Sequence, residues 1–131
     1  MSGITDLNQL LASMKPELIK EEFVFCTVSG QLSQYLVLKP TATFLESEGL
    51  TLVLTKHRAD EAGLEYEGVF RQITLMIHSS LEAVGLTAAV STKLATKGIS
   101  ANVIAAYYHD HIFVSAEKAE HALLALKELS K

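Results

Sequence analysis

The sequence predicts an α+β protein in which short strands alternate with amphipathic helices. Two observations lead to this prediction. Apolar residues recur at helical spacing in several segments, and apolar runs rich in β-branched residues, often bounded by glycine, lie between those segments. The second half of the chain is the more regular, and residues 70–131 follow the order β-α-β-β-α.

The composition limits the classes of function to be considered. The chain has 131 residues, of which 49% are hydrophobic and 20% are charged, as expected for one compact unit or two small subdomains that share a core. The net charge of −4, without a dense Lys/Arg run, argues against nucleic-acid binding. We expect no signal peptide and no membrane span, because the N-terminus lacks an apolar core and no apolar run reaches ~18 residues. The single cysteine, Cys26, is expected to be a buried thiol in a cytoplasmic protein.

The first half contains a short helix, a strand, a hairpin and a few helical turns. The stretch TDLNQLLASM has helical spacing and is closed by Pro16, and EEFVFCTVSG is typical of a buried strand. The stretch QYLVLKPTATF is ambiguous between an edge strand and an extended connector. A hairpin is predicted around Gly49, and KHRADEAGL is expected to form one or two helical turns that end at Gly63.

The second half contains a strand, a helix, a hairpin and a final helix. The strand EGVFRQITLMIHS is followed by the helical stretch SSLEAVGLTAAVSTKLATKG, for which Gly98 is the expected C-terminal cap. Two strands, ISANVIAAYY and HIFVS, are separated only by a histidine-bearing tip. The last helix lies in SAEKAEHALLALKELSK, with Ser115 as the expected N-cap.

The β-α-β-β-α order is that of a ferredoxin-like βαββαβ unit without its last strand. The missing strand has to come from elsewhere in the chain, and the apolar strand near 22–28 is the candidate. The first half resembles a degenerate second copy of the same unit. We therefore predict two interlocked βαββαβ-type halves with antiparallel sheets, a degenerate N-terminal half at 1–68 and a C-terminal half at 69–131.

Two motifs give the second half a resemblance to the ACT domain, a ferredoxin-like module that binds amino acids and regulates metabolic enzymes. The loop SLEAVGL at residues 80–86 is similar to the family pattern D-x-P-G-x-L, although Val84 replaces the usual proline and the usual aspartate is not evident. The pattern G-I-x-x-N follows at residues 98–102. Together with the motifs GLTLVL, HSSLEAVGL and YHDHIFV, residues 20–129 resemble bacterial tandem ACT proteins, which are related to the ACT halves of cytosolic arginine sensors. The resemblance implies a fold and ligand binding, but no reaction.

A ligand site is expected where the loop enters the helix. The start of a helix presents unpaired N–H groups and favours an anion such as an amino-acid carboxylate. Gly85 permits close backbone approach, and Glu82 is a candidate partner for the ligand's ammonium group. An ordinary strand-to-helix connection is the alternative interpretation. The candidate residues are Ser79, Ser80, Leu81, Glu82, Val84, Gly85, Leu86, Asn102, Val103 and Ile104.

The hairpin tip carries His109, Asp110 and His111, and it allows three interpretations. It can be the polar end of a hairpin at an interface, a ligand contact, or a metal or acid–base site. Two histidines alone bind metal weakly, and the chain has no nucleophile motif of a known hydrolase type. Of the neighbouring residues Tyr107 and Tyr108, one is expected to face inward and one outward.

We therefore expect a non-enzymatic, cytoplasmic, small-molecule-binding regulatory module without a cofactor, a metal or catalytic residues. The expected ligand is an amino acid, the protein is expected to form a homodimer, and its expected target is an unidentified protein. One alternative is an assembly module that binds no metabolite. Another is a metal-binding or hydrolytic protein that uses His109, Asp110 and His111.

Overall fold

The computed structural model describes residues 6–77 and 85–130. These residues form an α+β structure, as predicted. The helices are α1 (Leu7–Ser13), α2 (Lys56–Glu61), α3 (Leu86–Thr96) and α4 (Ala119–Leu129). The strands are β1 (Lys15–Val28), β2 (Ala42–Glu46), β3 (Gly49–Thr55), β4 (Phe70–Met76), β5 (Asn102–Ala105) and β6 (Asp110–Ser115). Short 3₁₀ turns occur at Leu32–Gln34, Leu36–Leu38 and Ala116–Lys118.

The chain divides into two compact units, one of which consists of two separate sequence segments. The C-terminal unit consists of Met1–Lys20 with Arg71–Lys131, and the central unit is Glu21–Phe70. The boundary between repeats at 68 and 69 stays a prediction, because compactness groups the first 20 residues with the end of the chain.

The C-terminal unit has the strand order β1-β4-β6-β5, the order of a ferredoxin-like sheet. Its first strand is the beginning of β1, where the Ile19 carbonyl accepts hydrogen bonds from Arg71 Nε and Nη2 at 3.1 and 2.8 Å. The prediction placed this completing strand near 22–28. That position stays a prediction: residues 23–28 pair with β3 in the central unit, and the residues of β1 that compactness groups with β4 are 15–20.

The helices of the C-terminal unit cover one face of its sheet. Ile73 and Leu75 of β4 and Ile112 of β6 point into a core that also contains Leu94 of α3 and Leu126 of α4. All five side chains are at most 1% exposed. The intervening residues of β4 and β6 face the other way, as the two-residue period of a strand requires.

The central unit has the antiparallel order β2-β3-β1. Cys26 lies opposite Leu52, and both belong to a core with Val24, Leu54 and Ala59 of α2. Cys26 is buried, as predicted, and burial raises the pKa of its thiol. The hairpin predicted at Gly49 joins β2 to β3.

Two expectations about caps have different outcomes. Gly98 follows the last turn of α3 with a φ of 71°, in keeping with the predicted C-cap. Ser115, by contrast, precedes the 3₁₀ turn Ala116–Lys118 and makes no capping hydrogen bond with its side chain, and α4 begins only at Ala119. None of the helices within 6–77 and 85–130 is both long enough and apolar enough to cross a membrane.

Candidate functional site

The β5–β6 hairpin tip contacts the chain on both sides of the segment 78–84. His109 Nδ1 lies 3.2 Å from the carbonyl oxygen of Ile77, directly after β4. Thr87 Oγ1, in the first turn of α3, lies 3.5 Å from Asp110 Oδ2. Ile77 and Thr87, which lie on either side of the predicted loop in the sequence, therefore both contact the histidine tip.

Among the described residues, no side chain caps the start of helix α3. Its N-cap is Gly85, which has a φ of 99° and no side chain to bond the first N–H groups. A Cβ added at Gly85 would lie 3.1 Å from Leu7 Cδ2, so α1 packs directly against this residue. Because the positive end of the helix dipole and the first N–H groups lie here, the terminus favours an anion.

Asp110 is the acidic residue beside this terminus. Its carboxylate is half-buried and accepts the bond from the Thr87 hydroxyl. Burial raises the pKa of Asp110, and the Thr87 bond and the charge of His111 oppose that effect only in part. A carboxylate held against its solvation preference is a feature of binding sites.

His111 points to the opposite face of the sheet from Asp110. Its Nδ1 lies 3.0 Å from Thr74 Oγ1 and 3.3 Å from Gln72 Nε2, and the amide of Gln72 also donates to Thr74 Oγ1 at 2.9 Å. Because an amide nitrogen only donates, His111 Nδ1 accepts and the proton of the neutral ring is on Nε2. Burial lowers the pKa of His111, the nearby His109 lowers it further, and Asp110 opposes the shift.

The lowered pKa of His111 gives a testable pH dependence. The unfolded chain takes up a proton near the ordinary value of 6.5, whereas the folded chain does so at lower pH. The neutral ring of His111 therefore makes its full contribution to the free energy of unfolding above about pH 6.5. That contribution is lost as the pH falls towards the folded pKa. In His111→Gln, this contribution to the dependence of the free energy of unfolding on pH should disappear. Urea unfolding curves measured between pH 5 and 7.5 test this. The change is expected to stay below about 1 kcal/mol because the ring is half-exposed and partly screened.

The exposed residue His121 provides the control for that measurement. In His121→Gln, the free energy of unfolding should vary with pH as it does in the parent protein. If it also varies in the same way in His111→Gln, the dependence on pH does not come from His111.

His109 donates from Nδ1 to Ile77, since a carbonyl oxygen only accepts, which leaves Nε2 for another partner. Tyr107 and Tyr108 stack edge to face, with ring centroids 5.0 Å apart, and are 74% and 68% exposed. The expectation that one of the two tyrosines faces inward is wrong, because the tip extends beyond the paired strands.

The remaining predicted residues occupy different environments. Asn102 is exposed and donates from Nδ2 to the Phe113 carbonyl at 3.2 Å, which ties it to β6. Val103 packs against the core, and Ile104 lies opposite His111. Leu86 is buried. The predicted residues Ser79, Ser80, Leu81, Glu82 and Val84 lie outside the described residues.

Sequence reasoning missed Thr87, Thr74 and Gln72. Thr87 is 23 residues from its partner Asp110, and Gln72 is 39 residues from His111, so no local spacing relates them. Gln72 and Thr74 do give one signal, because they are polar residues among the apolar residues of β4, and both are buried.

The contacts of His109 and His111 do not form a metal site. The rings of His109 and His111 have centroids 6.4 Å apart, and their Nδ1 atoms face different partners. Among residues 6–77 and 85–130, no three His, Cys, Asp or Glu side chains are placed to hold one ion.

Comparison with known proteins relates both halves of the chain to one family. Residues 2–71 and residues 68–128 each match a model described as an ACT domain. None of the curated proteins matches the chain.

Solved structures extend this comparison. A Vibrio cholerae protein of unknown function, described as a possible transport protein, is 62% identical, with a TM-score of 0.89 over 99% of this chain and 100% of its own. An Agrobacterium tumefaciens protein is 15% identical, with a TM-score of 0.71 over 89% of each chain. The ligand-free regulatory subunit of aspartate kinase from Thermus thermophilus is 14% identical, with a TM-score of 0.63 over 88% of this chain and 97% of its own. The chain thus belongs to the ACT domain family and carries two such domains in tandem, as its motifs predicted.

Proposed function

We propose that this protein is a non-enzymatic regulatory module that binds an amino acid at the junction of β4, α3 and the β5–β6 hairpin. The observation that carries the proposal is the pair of contacts from His109 to Ile77 and from Thr87 to Asp110. The shared fold with an aspartate kinase regulatory subunit supports a regulatory role rather than a catalytic one.

The chemistry of the junction suits the two charged groups of an amino acid. The uncapped start of α3 at Gly85 suits the carboxylate. Asp110 and His109 Nε2, for which no partner lies within 6–77 and 85–130, suit the ammonium group, because both accept hydrogen bonds. Asp110 would then take the part of the aspartate that the loop lacks, and Glu82 is the other candidate. The predicted residues Ser79, Ser80, Leu81 and Val84 would complete the wall around the ligand.

We propose that this regulatory module acts on a separate protein. Ligand binding would change the relative populations of two arrangements of the molecule, and the target would recognise one of them. We place the protein in the cytoplasm and propose that it forms a homodimer. Light scattering with and without ligand tests whether the protein is a homodimer.

A thermal-shift screen with the twenty amino acids tests this function. An amino acid at 100 times its dissociation constant should raise the free energy of unfolding by about 2.7 kcal/mol. No response to any amino acid at millimolar concentration would count decisively against the proposal. A response to a divalent metal that His109→Ala with His111→Ala abolishes would favour a metal-binding protein instead.

An assembly module that binds no metabolite is the second candidate. The central unit exposes Val37, Phe44 and Leu45 at 80%, 70% and 80%, and β2 is an edge strand. Exposed apolar side chains beside an unpaired strand edge are typical of protein contacts. A homodimer whose stability no amino acid alters would favour this candidate.

A further inference from the structure

The central unit has an open groove of about 870 Å³ that shares no residue with the candidate amino-acid site. Part of its lining comes from β1, β2 and β3, and the rest comes from residues 65–68 and from the first residue of β4. Its lining includes Phe25, Tyr66 and Phe70, together with Glu46, Glu65 and Glu67.

The aromatic residues give the groove an apolar wall. The rings of Phe25 and Phe70 meet edge to face, with centroids 5.2 Å apart and an angle of 68° between the planes. Tyr66 and both phenylalanines are half-buried, so each ring still has accessible surface. Such a wall attracts the alkyl chain of a ligand and, through the ring faces, a cation.

All the charged residues that line the groove are acidic. Glu46 accepts a hydrogen bond from the Thr51 hydroxyl, which fixes the direction of its carboxylate. Glu65 and Glu67 have no ion-pair partner among the residues that the structure describes. Lys56 does not offset these charges, because its ammonium group pairs with Asp60 at 3.0 Å.

A second cavity of the same unit has a different lining. That cavity, of about 550 Å³ beside α2, is lined by acidic residues and also by Lys56 and Arg58. Its four carboxylates, those of Glu21, Glu22, Asp60 and Glu61, face these two cationic side chains, so its negative charge is compensated in part. The groove differs from this cavity because it combines a wall of Phe and Tyr side chains with carboxylates that no basic lining residue offsets.

We propose that the groove binds a small organic cation, an alkyl chain that carries ammonium or guanidinium groups. The chain would lie against Phe25 and Phe70, and the cationic groups would meet Glu65 and Glu67. An anion would be repelled by the carboxylates, and a neutral molecule would gain only the apolar contact. This site does not depend on the proposed amino-acid site, because all of its lining residues belong to Glu21–Phe70.

Calorimetric titration with cadaverine and agmatine tests the proposal, with pentanediol as a neutral analogue of cadaverine. Both amines are expected to bind with dissociation constants of about 1 mM or lower, and more weakly as salt is added. The double variant Glu65→Gln with Glu67→Gln should weaken binding about ten-fold, and Phe70→Leu should weaken it about three-fold.

The matched control removes the same charge elsewhere. Glu17→Gln with Glu120→Gln changes two exposed carboxylates outside the groove and should leave the affinity unchanged. The groove assignment is overturned by any of three results: no binding of either amine at about 10 mM, equal binding of pentanediol, or equal weakening by the control pair. Because all four glutamates are exposed, both double variants are expected to fold, and circular dichroism checks this.

Discussion

Asp110→Asn is expected to weaken binding of the amino-acid ligand by about 10- to 100-fold. The substitution keeps the size of the side chain and an acceptor for the Thr87 hydroxyl, but it removes the charge that would meet the ligand's ammonium group. A hydrogen bond to a charged group contributes about 1.5–3 kcal/mol, and that range sets the expected loss. Titration calorimetry with the amino acid found in the screen measures it.

The same variant is expected to be more stable than the parent protein at pH 7. Burial raises the folded pKa of Asp110, so the folded state binds more protons than the unfolded state between the ordinary value and the folded pKa. Ionised Asp110 therefore destabilises the fold once the pH has risen through that range, and neutral asparagine removes the penalty. The gain should stay below about 1 kcal/mol, because half of the side chain is exposed.

Glu117→Gln, an exposed charge removal in the C-terminal unit, is the control and should change neither property. Unchanged affinity in Asp110→Asn would remove Asp110 from the ammonium site, and lower stability would contradict the burial argument. Failure of every amino acid to bind the parent protein is a different result, which rejects the proposed function itself.

Gly85→Ala is expected to lower the free energy of unfolding by about 2 kcal/mol. A residue with a Cβ is strained at a φ of 99°, which costs about 1–2 kcal/mol. The added methyl group would also approach Leu7 Cδ2 at 3.1 Å and push α1 away from α3. Urea unfolding followed by circular dichroism gives the value.

Gly98→Ala separates these two causes. Gly98 has a φ of 71°, and nothing lies within 4 Å of a Cβ added there, so the variant has the backbone strain without the crowding. It should be destabilised by about 1 kcal/mol, less than Gly85→Ala. If both variants lose the same free energy of unfolding, crowding against Leu7 does not contribute to the destabilisation of Gly85→Ala.

The sequence predicted the elements well where one face of each is apolar. The β4 alternation, the helical stripes of α3 and α4 and the β5–β6 hairpin all appear, because burial on one side imposes a clear period. The beginning of β1 was not predicted. Residues 15–22 contain Pro16 and several charges, and most of their side chains are at least half-exposed, so no apolar period marks them.

The candidate site was predicted only in part, for a related reason. Local motifs identified Gly85 and the tip residues His109–His111, but the contacts that join them connect residues 23 and 32 positions apart. Such contacts follow from the sheet order. Whether a ligand uses this junction remains a prediction for the screen to decide.

The length of β1 has a consequence for the order in which the molecule can be synthesised and folded. The strand neighbours β4 in the sheet, yet about 50 residues separate Lys20 from Phe70. At about 5–20 residues per second, roughly 3–10 seconds pass between the emergence of these two strands from the ribosome. Throughout that interval one edge of β1 lacks its partner, and so the nascent chain passes through a period in which chaperone binding or misassociation competes with folding.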